Sequence, residues 1–148
     1  MEEALPVVAG VEDPILESVA RKERGDLAGA AAMLADLLRR DLRCIDAHAH
    51  LGNLAFRVCA EHARRHYAVG VAIGDHALGP DFCGALPWSY LGNRPFLRCL
   101  HGLGLSLWRL GRLEEAARVF ERLLLLNPED EQGARRCWQD VRAGCSWE

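Results

Sequence analysis

Hydrophobic residues recur at helical spacing in two adjoining stretches in the C-terminal half of the chain. The first stretch contains Leu100, Leu103, Gly104 and Leu107, and the second contains Ala116, Phe120 and Leu123. Residues three or four positions apart share one face of a helix, so each stretch predicts an amphipathic helix with one buried stripe. A turn at Gly111-Arg112 separates the two stretches, and Pro128 ends the second. The pattern predicts a helical hairpin.

A second, weaker copy of this hairpin pattern lies in the middle of the chain. Leu51-Gly52 begins this copy, and Ala63, Tyr67 and Gly70 continue it at helical spacing. The predicted interhelical turn is one residue short and lacks the glycine of the first hairpin. We therefore expect a shortened hairpin here.

The earliest copy of the pattern departs furthest from it. Its second helix carries an apolar stripe at Ala30, Leu34 and Leu37. Gly25-Asp26 is the predicted turn, but Glu17-Ser18 stands where the other copies have Leu-Gly. Asp13 followed by Pro14 predicts the start of the first helix, because aspartate is a favoured N-cap and proline a favoured first helical residue.

The segment between the second and the last hairpin breaks the pattern. Residues 79–95 hold three prolines, three glycines and three aromatic residues, which predicts a long loop. Loops of this length inside a domain are usually functional or disordered, and the aromatic residues favour an ordered one. Leu86-Pro87-Trp88 and Arg94-Pro95-Phe96 either contact a partner or fold back to fill the gap left by the broken pattern; we favour the second interpretation.

The hairpin from Leu97 to Asp130 resembles the tetratricopeptide repeat (TPR), a motif of about 34 residues. The motif has a large apolar residue, Leu-Gly, an aromatic residue, alanine, a second aromatic residue and a final proline. The matching residues here are Leu100, Leu103-Gly104, Leu107, Ala116, Phe120 and Pro128, and Leu100 and Leu107 stand where the motif commonly has aromatic residues. The resemblance implies an all-α fold of antiparallel helix-hairpin repeats that stack into a right-handed superhelix.

With the weaker copies included, the resemblance extends over roughly residues 11–143. We predict an N-terminal tail at residues 1–10 and a single TPR-like domain at residues 11–143. The predicted parts of the domain are repeats at about 11–44, 45–78 and 97–130, a loop insertion at 79–95, and a C-terminal capping helix at 131–143. Asp130 can cap that last helix, which would cover the final apolar face of the array.

The resemblance also implies a binding surface, because in TPR proteins the first helix of each repeat lines a concave groove that holds peptides. The candidate groove residues are Asn53, Phe56, Arg57, Arg98, His101, Leu105, Trp108, Arg109 and Arg135, with Gln139 and Arg142 farther along the terminal helix. This set is basic and aromatic, which favours an acidic or extended peptide. The alternative is that the arginines form a solvated face paired with nearby glutamates.

Arginine supplies nearly all of the positive charge, since Lys22 is the only lysine in the sequence. Arginine is the better residue for two-point contacts with carboxylates. Some TPR domains instead grip a C-terminal Glu-Glu-x-Val-Asp-type carboxylate with lysines and asparagines. Only Asn53 stands at a matching position, so we do not expect that ligand.

The composition is that of an ordinary globular domain. Of 148 residues, 50% are hydrophobic and 26% are charged, and the net charge of −3 gives no reason to expect nucleic acid or a membrane as partner. The acidic N-terminus has no apolar run typical of a signal peptide, and no stretch is long enough to span a membrane. We therefore expect a cytoplasmic protein.

Several cysteines and histidines could suggest disulfides or a metal site. The cysteines are Cys44, Cys59, Cys83, Cys99, Cys137 and Cys145, and no two of them form a CxxC pair. We expect reduced thiols. Cys59, His62 and His66 share one predicted helix face, and Cys44, His48 and His50 come shortly before them. The pattern could hold zinc. We favour surface histidines beside a buried thiol, and predict no metal.

No constellation of catalytic residues is evident. Gly102 and Gly104 are not followed by the third glycine of a phosphate-binding loop, and no nucleophile is fixed beside a base. We predict that the chain is not an enzyme, has no cofactor, and acts as a protein–protein adaptor. The alternative is a structural module that self-assembles through exposed repeat ends; RNA binding by the arginines is a third, less favoured possibility.

Overall fold

The computed structural model describes residues 14–41 and 43–148, and the regular elements of these residues are helices. They are α1 (Pro14–Glu23), α2 (Leu27–Arg40), α3 (Ile45–Phe56), α4 (Ala60–Leu78), α5 (Arg94–Arg109), α6 (Leu113–Leu126) and α7 (Ala134–Arg142), with a short 3₁₀ helix at Leu91–Asn93 before α5. The predicted all-α fold is confirmed. The predicted tail at residues 1–10 and the N-cap Asp13 lie outside the described residues.

The first six helices form three hairpins, α1–α2, α3–α4 and α5–α6, and each hairpin packs against the next. Gly25 and Gly111 make the turns of the first and last hairpins with φ values of +87° and +79°. A side chain rarely adopts this left-handed conformation, so glycine is the favoured residue at both places. The two turns predicted from the sequence are therefore confirmed.

The connection within the middle hairpin is not short, contrary to the prediction. Each hairpin has three residues between its helices, including 57–59 in the middle one. The first helix of the middle hairpin, and not its connection, is one residue shorter after the glycine. The helix α3 ends four positions after Gly52, whereas α5 ends five positions after Gly104. In the 57–59 connection the backbone adopts no positive φ, which explains why glycine is not needed there.

Close contacts between the helices depend on glycines. A Cβ atom added to Gly104 would lie 2.6 Å from Cε1 of Phe120, and one added to Gly52 would lie 2.5 Å from Cε1 of Tyr67. A Cβ atom on Gly102 would also meet the ring of Tyr67. The Tyr67 side chain of α4 therefore lies between α3 and α5, and it holds these two first helices at a fixed separation.

The loop between α4 and α5 folds back onto the domain. Leu86 is fully buried in the main core, and its backbone N–H donates to the carbonyl of Leu126 at 2.8 Å. The side-chain amide of buried Asn93 donates to the carbonyl of Pro87 at 3.1 Å, and Nε of Arg94 donates to the carbonyl of Trp88 at 2.8 Å. The loop thus fills an apolar gap at the end of α6.

Two helix boundaries differ from the predicted segments. The helix α5 begins at Arg94, inside the predicted 79–95 insertion, because Pro95 fits its first turn. The terminal helix begins at Ala134 instead of residue 131. Asp130 does cap it: Oδ1 accepts from the Ala134 N–H at 2.6 Å and Oδ2 from the Arg135 N–H at 3.1 Å.

The first helices of the hairpins lie on the inside of the array. The backbone of α3 contacts both α1 and α5, and α5 also contacts α7. Within the described residues, the backbones of the second helices α2, α4 and α6 do not contact one another. A stack in which one row of helices is closer together curves toward that row, so α1, α3, α5 and α7 line the inner face.

Candidate functional site

Five of the candidate groove residues lie on α5, and their spacing places them on one face of that helix. These residues are Arg98, His101, Leu105, Trp108 and Arg109. Leu105 packs partly against the main core from this face. The face of α5 therefore runs from a polar end near Arg98 to an aromatic end near Trp108.

At the polar end, Arg98 already has partners. Its Nη1 lies 3.5 Å from Oδ1 of Asp46 on α3, and its guanidinium carbon lies 5.4 Å from the ring centroid of Trp88. Arg94 lies over the same ring at 4.9 Å. Arg98 thus ties α3 and the loop to α5, and its positive charge is partly neutralised by the nearby carboxylate.

At the aromatic end, four side chains from three parts of the chain come together. The guanidinium carbon of Arg109 lies 5.2 Å from the ring centroid of Phe56, and Arg109 also donates to the Phe56 carbonyl. Trp147 packs edge-on against Phe56 at 5.6 Å and against Trp108 at 5.1 Å between ring centroids. We call Phe56, Trp108 and Arg109 the aromatic clamp. Phe56, Trp108 and Arg109 were predicted from the sequence, but Trp147 was not.

The His101 side chain lies on this same face of α5 but packs toward α6. Its ring lies edge-on to Phe120 with centroids 6.0 Å apart. Burial lowers the pKa of His101, although the carboxylate of Asp130 opposes this effect. The imidazole therefore favours its neutral form, and the side chain supports the contact between α5 and α6 better than it would bind an acidic peptide.

The remaining candidates lie on α3, at its end and on α7. Oδ1 of Asn53 accepts a hydrogen bond from the Tyr67 hydroxyl at 2.5 Å, so this side chain serves the packing of α3 against α4. Arg57 follows α3 directly and is exposed, as is Arg135 in the first turn of α7. Both side chains are therefore accessible to a ligand.

Most arginines on the two rows of helices pair with carboxylates, but three of the candidate groove arginines have no such partner within the described residues. On the second helices, carboxylates pair with Arg39, Arg40, Arg64, Arg65, Arg118 and Arg122. On the inner helices, Arg21, Arg98 and Arg136 are also paired with carboxylates. No carboxylate in the described part of the chain pairs with Arg57, Arg109 or Arg135, so the interpretation of a solvated face paired with local carboxylates does not fit these three groove arginines.

The comparison with known families agrees with this geometry. Residues 97–130 match the family model described as Tetratricopeptide repeat. This segment of the chain is a tetratricopeptide repeat. TPR domains generally mediate protein–protein interactions, and the matched segment contains the whole groove face of α5 from Arg98 to Arg109. A search of curated proteins finds none that matches the chain.

The residues weighed as zinc ligands are not brought together. No group of three His, Cys, Asp or Glu side chains in residues 14–41 and 43–148 is placed to hold a metal ion. His66 instead lies 6.0 Å from His48 between ring centroids, and burial together with the charges of His48 and His62 lowers the pKa of His66. All six cysteines are free thiols, and burial raises the pKa of Cys99.

A second concavity, which the sequence did not indicate, lies where the loop meets the ends of α4 and α6. It has a volume of about 640 Å³ and is lined mainly by apolar side chains, including Phe82 and the largely exposed Leu125. Asp75 and Arg122 form an ion pair at its edge.

None of the helices in the described part of the chain is both long and apolar enough to cross a membrane.

Proposed function

We propose that this protein is an adaptor that binds an extended, acidic peptide along α3, α5 and α7. The observation that carries this proposal is that three arginines on or beside the inner helices lack a carboxylate partner in the described part of the chain, although arginines elsewhere on both rows of helices have one. Arg57, Arg109 and Arg135 have no carboxylate partner in the described residues, whereas the arginines of the second helices do. A carboxylate of a bound peptide would supply the missing partner.

The energetic case rests on charge-assisted hydrogen bonds in a partly enclosed surface. A guanidinium can hold a carboxylate with two parallel N–H donors, and such bonds are about twice as strong as those between neutral groups. Exposed ion pairs are screened by salt over about 8 Å at physiological ionic strength. We therefore expect the arginines to select acidic sequences, while the aromatic clamp contributes apolar contact.

The test compares two variants that lose the same charge. In the groove variant Arg57, Arg109 and Arg135 are replaced by alanine; in the matched variant the outer-row residues Arg39, Arg65 and Arg118 are replaced. Arg98 is retained in both, since its loss would leave Asp46 with only His50 among the described residues as an ion-pair partner. A phage library of random 12-residue peptides is panned against each protein, and the enriched peptides are sequenced and synthesised.

We expect peptides rich in Asp and Glu to be enriched by the parent and by the outer-row variant, and to bind the groove variant at least about tenfold more weakly. Circular dichroism should show that all three proteins keep their helix content. An equal loss in both variants would show that net charge alone attracts the peptides. Enrichment of apolar peptides that persists in the groove variant would move the ligand to another surface, such as the concavity beside Leu125.

Self-assembly is a second candidate, and one observation favours it. Leu16 on α1 is 68% exposed, and Leu27 at the start of α2 is also exposed, so the first hairpin presents apolar side chains at its surface. Such side chains at the end of a repeat array could stack on another copy. The adaptor proposal predicts a monomer of 16.4 kDa by light scattering at every concentration. A mass that doubles with concentration, and that returns to 16.4 kDa in Leu16→Ser, would favour assembly.

No chemistry beyond binding enters the proposal. We propose no catalytic step, cofactor or nucleic-acid ligand, because the groove offers guanidinium groups and aromatic rings that bind rather than react. The six free thiols fit a reducing compartment, and the cytoplasm remains the expected location.

A further inference from the structure

The segment after α7 folds back onto the inner face of the array. Two contacts hold it there: Trp147 packs edge-on against Phe56 and Trp108, and Nε1 of Trp108 donates to the carbonyl of Cys145 at 2.8 Å. The first contact buries apolar surface, and the second fixes the direction of the backbone. The segment thus lies across the aromatic clamp in the manner of a bound peptide.

The rest of the segment makes a weak attachment. Trp147 is half-buried, whereas Cys145, Ser146 and Glu148 are exposed. No residue of the segment belongs to the hydrophobic core, whose last member is Val141 in α7. Edge-on aromatic pairs contribute about 0.5–1.5 kcal/mol each and a neutral hydrogen bond about 1 kcal/mol, so the segment can leave the clamp without unfolding the domain.

We infer that the aromatic clamp of Phe56, Trp108 and Arg109 is a binding site for an extended peptide that carries a tryptophan, and that residues 145–148 of the chain occupy this site as a tethered competitor. The partner's indole takes the place of the Trp147 ring between Phe56 and Trp108. A backbone carbonyl two residues before the partner's tryptophan accepts from Nε1 of Trp108, as the Cys145 carbonyl does.

The chain's own sequence specifies the chemistry of the partner further. In the segment Cys145-Ser146-Trp147-Glu148, an acidic residue follows the tryptophan directly. Arg109 lies on the Phe56 ring that Trp147 contacts, but Glu148 does not pair with it. A partner whose acidic side chain reaches this guanidinium would therefore add a contact that the chain's own segment lacks. This specification rests on the proposed function, since it assumes that groove arginines select acidic peptides.

Tethering sets how strongly a partner must bind. A short flexible connection gives a tethered group an effective concentration in the millimolar range. If the untethered segment had a dissociation constant of about 0.1 mM, an effective concentration of about 1 mM would weaken the binding of any competing peptide roughly tenfold. Access to the clamp therefore depends on the segment, and partners with several contacts are favoured over those with one aromatic residue.

The experiment uses a fluorescein-labelled peptide with the sequence of residues 143–148, in which the position of Cys145 is serine so that no disulfide forms. Binding is followed by fluorescence polarisation to the parent, to Trp147→Ala, and to the double variant Trp147→Ala with Phe56→Ala. A second peptide has alanine in place of its tryptophan. We expect Trp147→Ala to bind the first peptide at least about tenfold more tightly than the parent does.

We further expect the double variant not to bind the first peptide, and Trp147→Ala not to bind the second peptide, up to about 2 mM. Equal binding by the parent and Trp147→Ala would overturn the tethered competitor, and no binding by Trp147→Ala up to that concentration would overturn the tryptophan site. The outcome is separable from that of the proposed function. Loss of acidic selection with intact tryptophan binding would remove only the proposed function, and the reverse result would remove only this inference.

Discussion

Replacing Gly104 by leucine should unfold the domain or destabilise it by at least about 3 kcal/mol. The Cβ atom alone would lie 2.6 Å from Cε1 of Phe120, whose side chain is fully buried, and leucine adds three further carbons in the same direction. Since α5 and α6 are joined by a three-residue connection, they cannot move apart freely. Because whole domains are stable by about 5–15 kcal/mol, this loss would be a large fraction of the total.

Urea denaturation followed by circular dichroism measures the effect. Ala72→Leu serves as the control, because Ala72 is an exposed position on α4 and an added leucine there meets no buried side chain. The control should change the free energy of unfolding by no more than about 0.5 kcal/mol. An unchanged urea midpoint for Gly104→Leu would show that α5 and α6 are not packed as closely as Gly104 and Phe120 require.

Such close contacts were predictable because they are encoded locally. Gly104 and Ala116 appear as small residues within helical apolar stripes, and Gly111 marks the turn between them. Each of these signals lies within one hairpin, so it does not depend on how the hairpins stack. The same holds for Asp130, whose carboxylate caps α7 a few residues later.

Other features could not be predicted because they depend on contacts between distant parts of the chain. The sequence predicts Arg98 as an open groove residue, but Asp46 and Trp88 contact it from α3 and the loop. Helical spacing defines a face of α5 about 100° wide, and it does not reveal what packs there. For the same reason, the contact of His101 with Phe120 on α6 could not be predicted.

The packing of Trp147 against the aromatic clamp also could not be predicted from the hydrophobic pattern. Trp147 follows Gly144 and lies in no periodic stripe, so helical periodicity gives no sign of its contacts. The only available signal was its residue type, since tryptophan and arginine are enriched in binding surfaces. A tryptophan outside the repeats of a helical array can thus act as a ligand of the array itself.

The separation of α3 and α5, and with it the width of the groove, depends on one side chain from the outer row. Tyr67 on α4 is almost fully buried, its ring fills the space left by Gly52 and Gly102, and its hydroxyl donates to Asn53. Burial raises the pKa of Tyr67, so the hydroxyl stays protonated and remains a donor. The groove residues of both first helices are thus positioned by a residue that a bound peptide would not contact.

Tyr67→Ala should therefore reduce the free energy of unfolding by about 3–5 kcal/mol, as truncation of a buried aromatic ring typically does. Tyr67→Phe retains the ring and removes one hydrogen bond, so we expect a loss of about 1 kcal/mol. Urea denaturation measures both values, and binding of an acidic peptide selected by the parent measures the effect on the groove. Tyr67→Phe should bind that peptide as the parent does, because the ring still separates α3 from α5. If Tyr67→Phe were as destabilising as Tyr67→Ala, the hydroxyl and its bond to Asn53 would position the helices, and the ring between the two glycines would not.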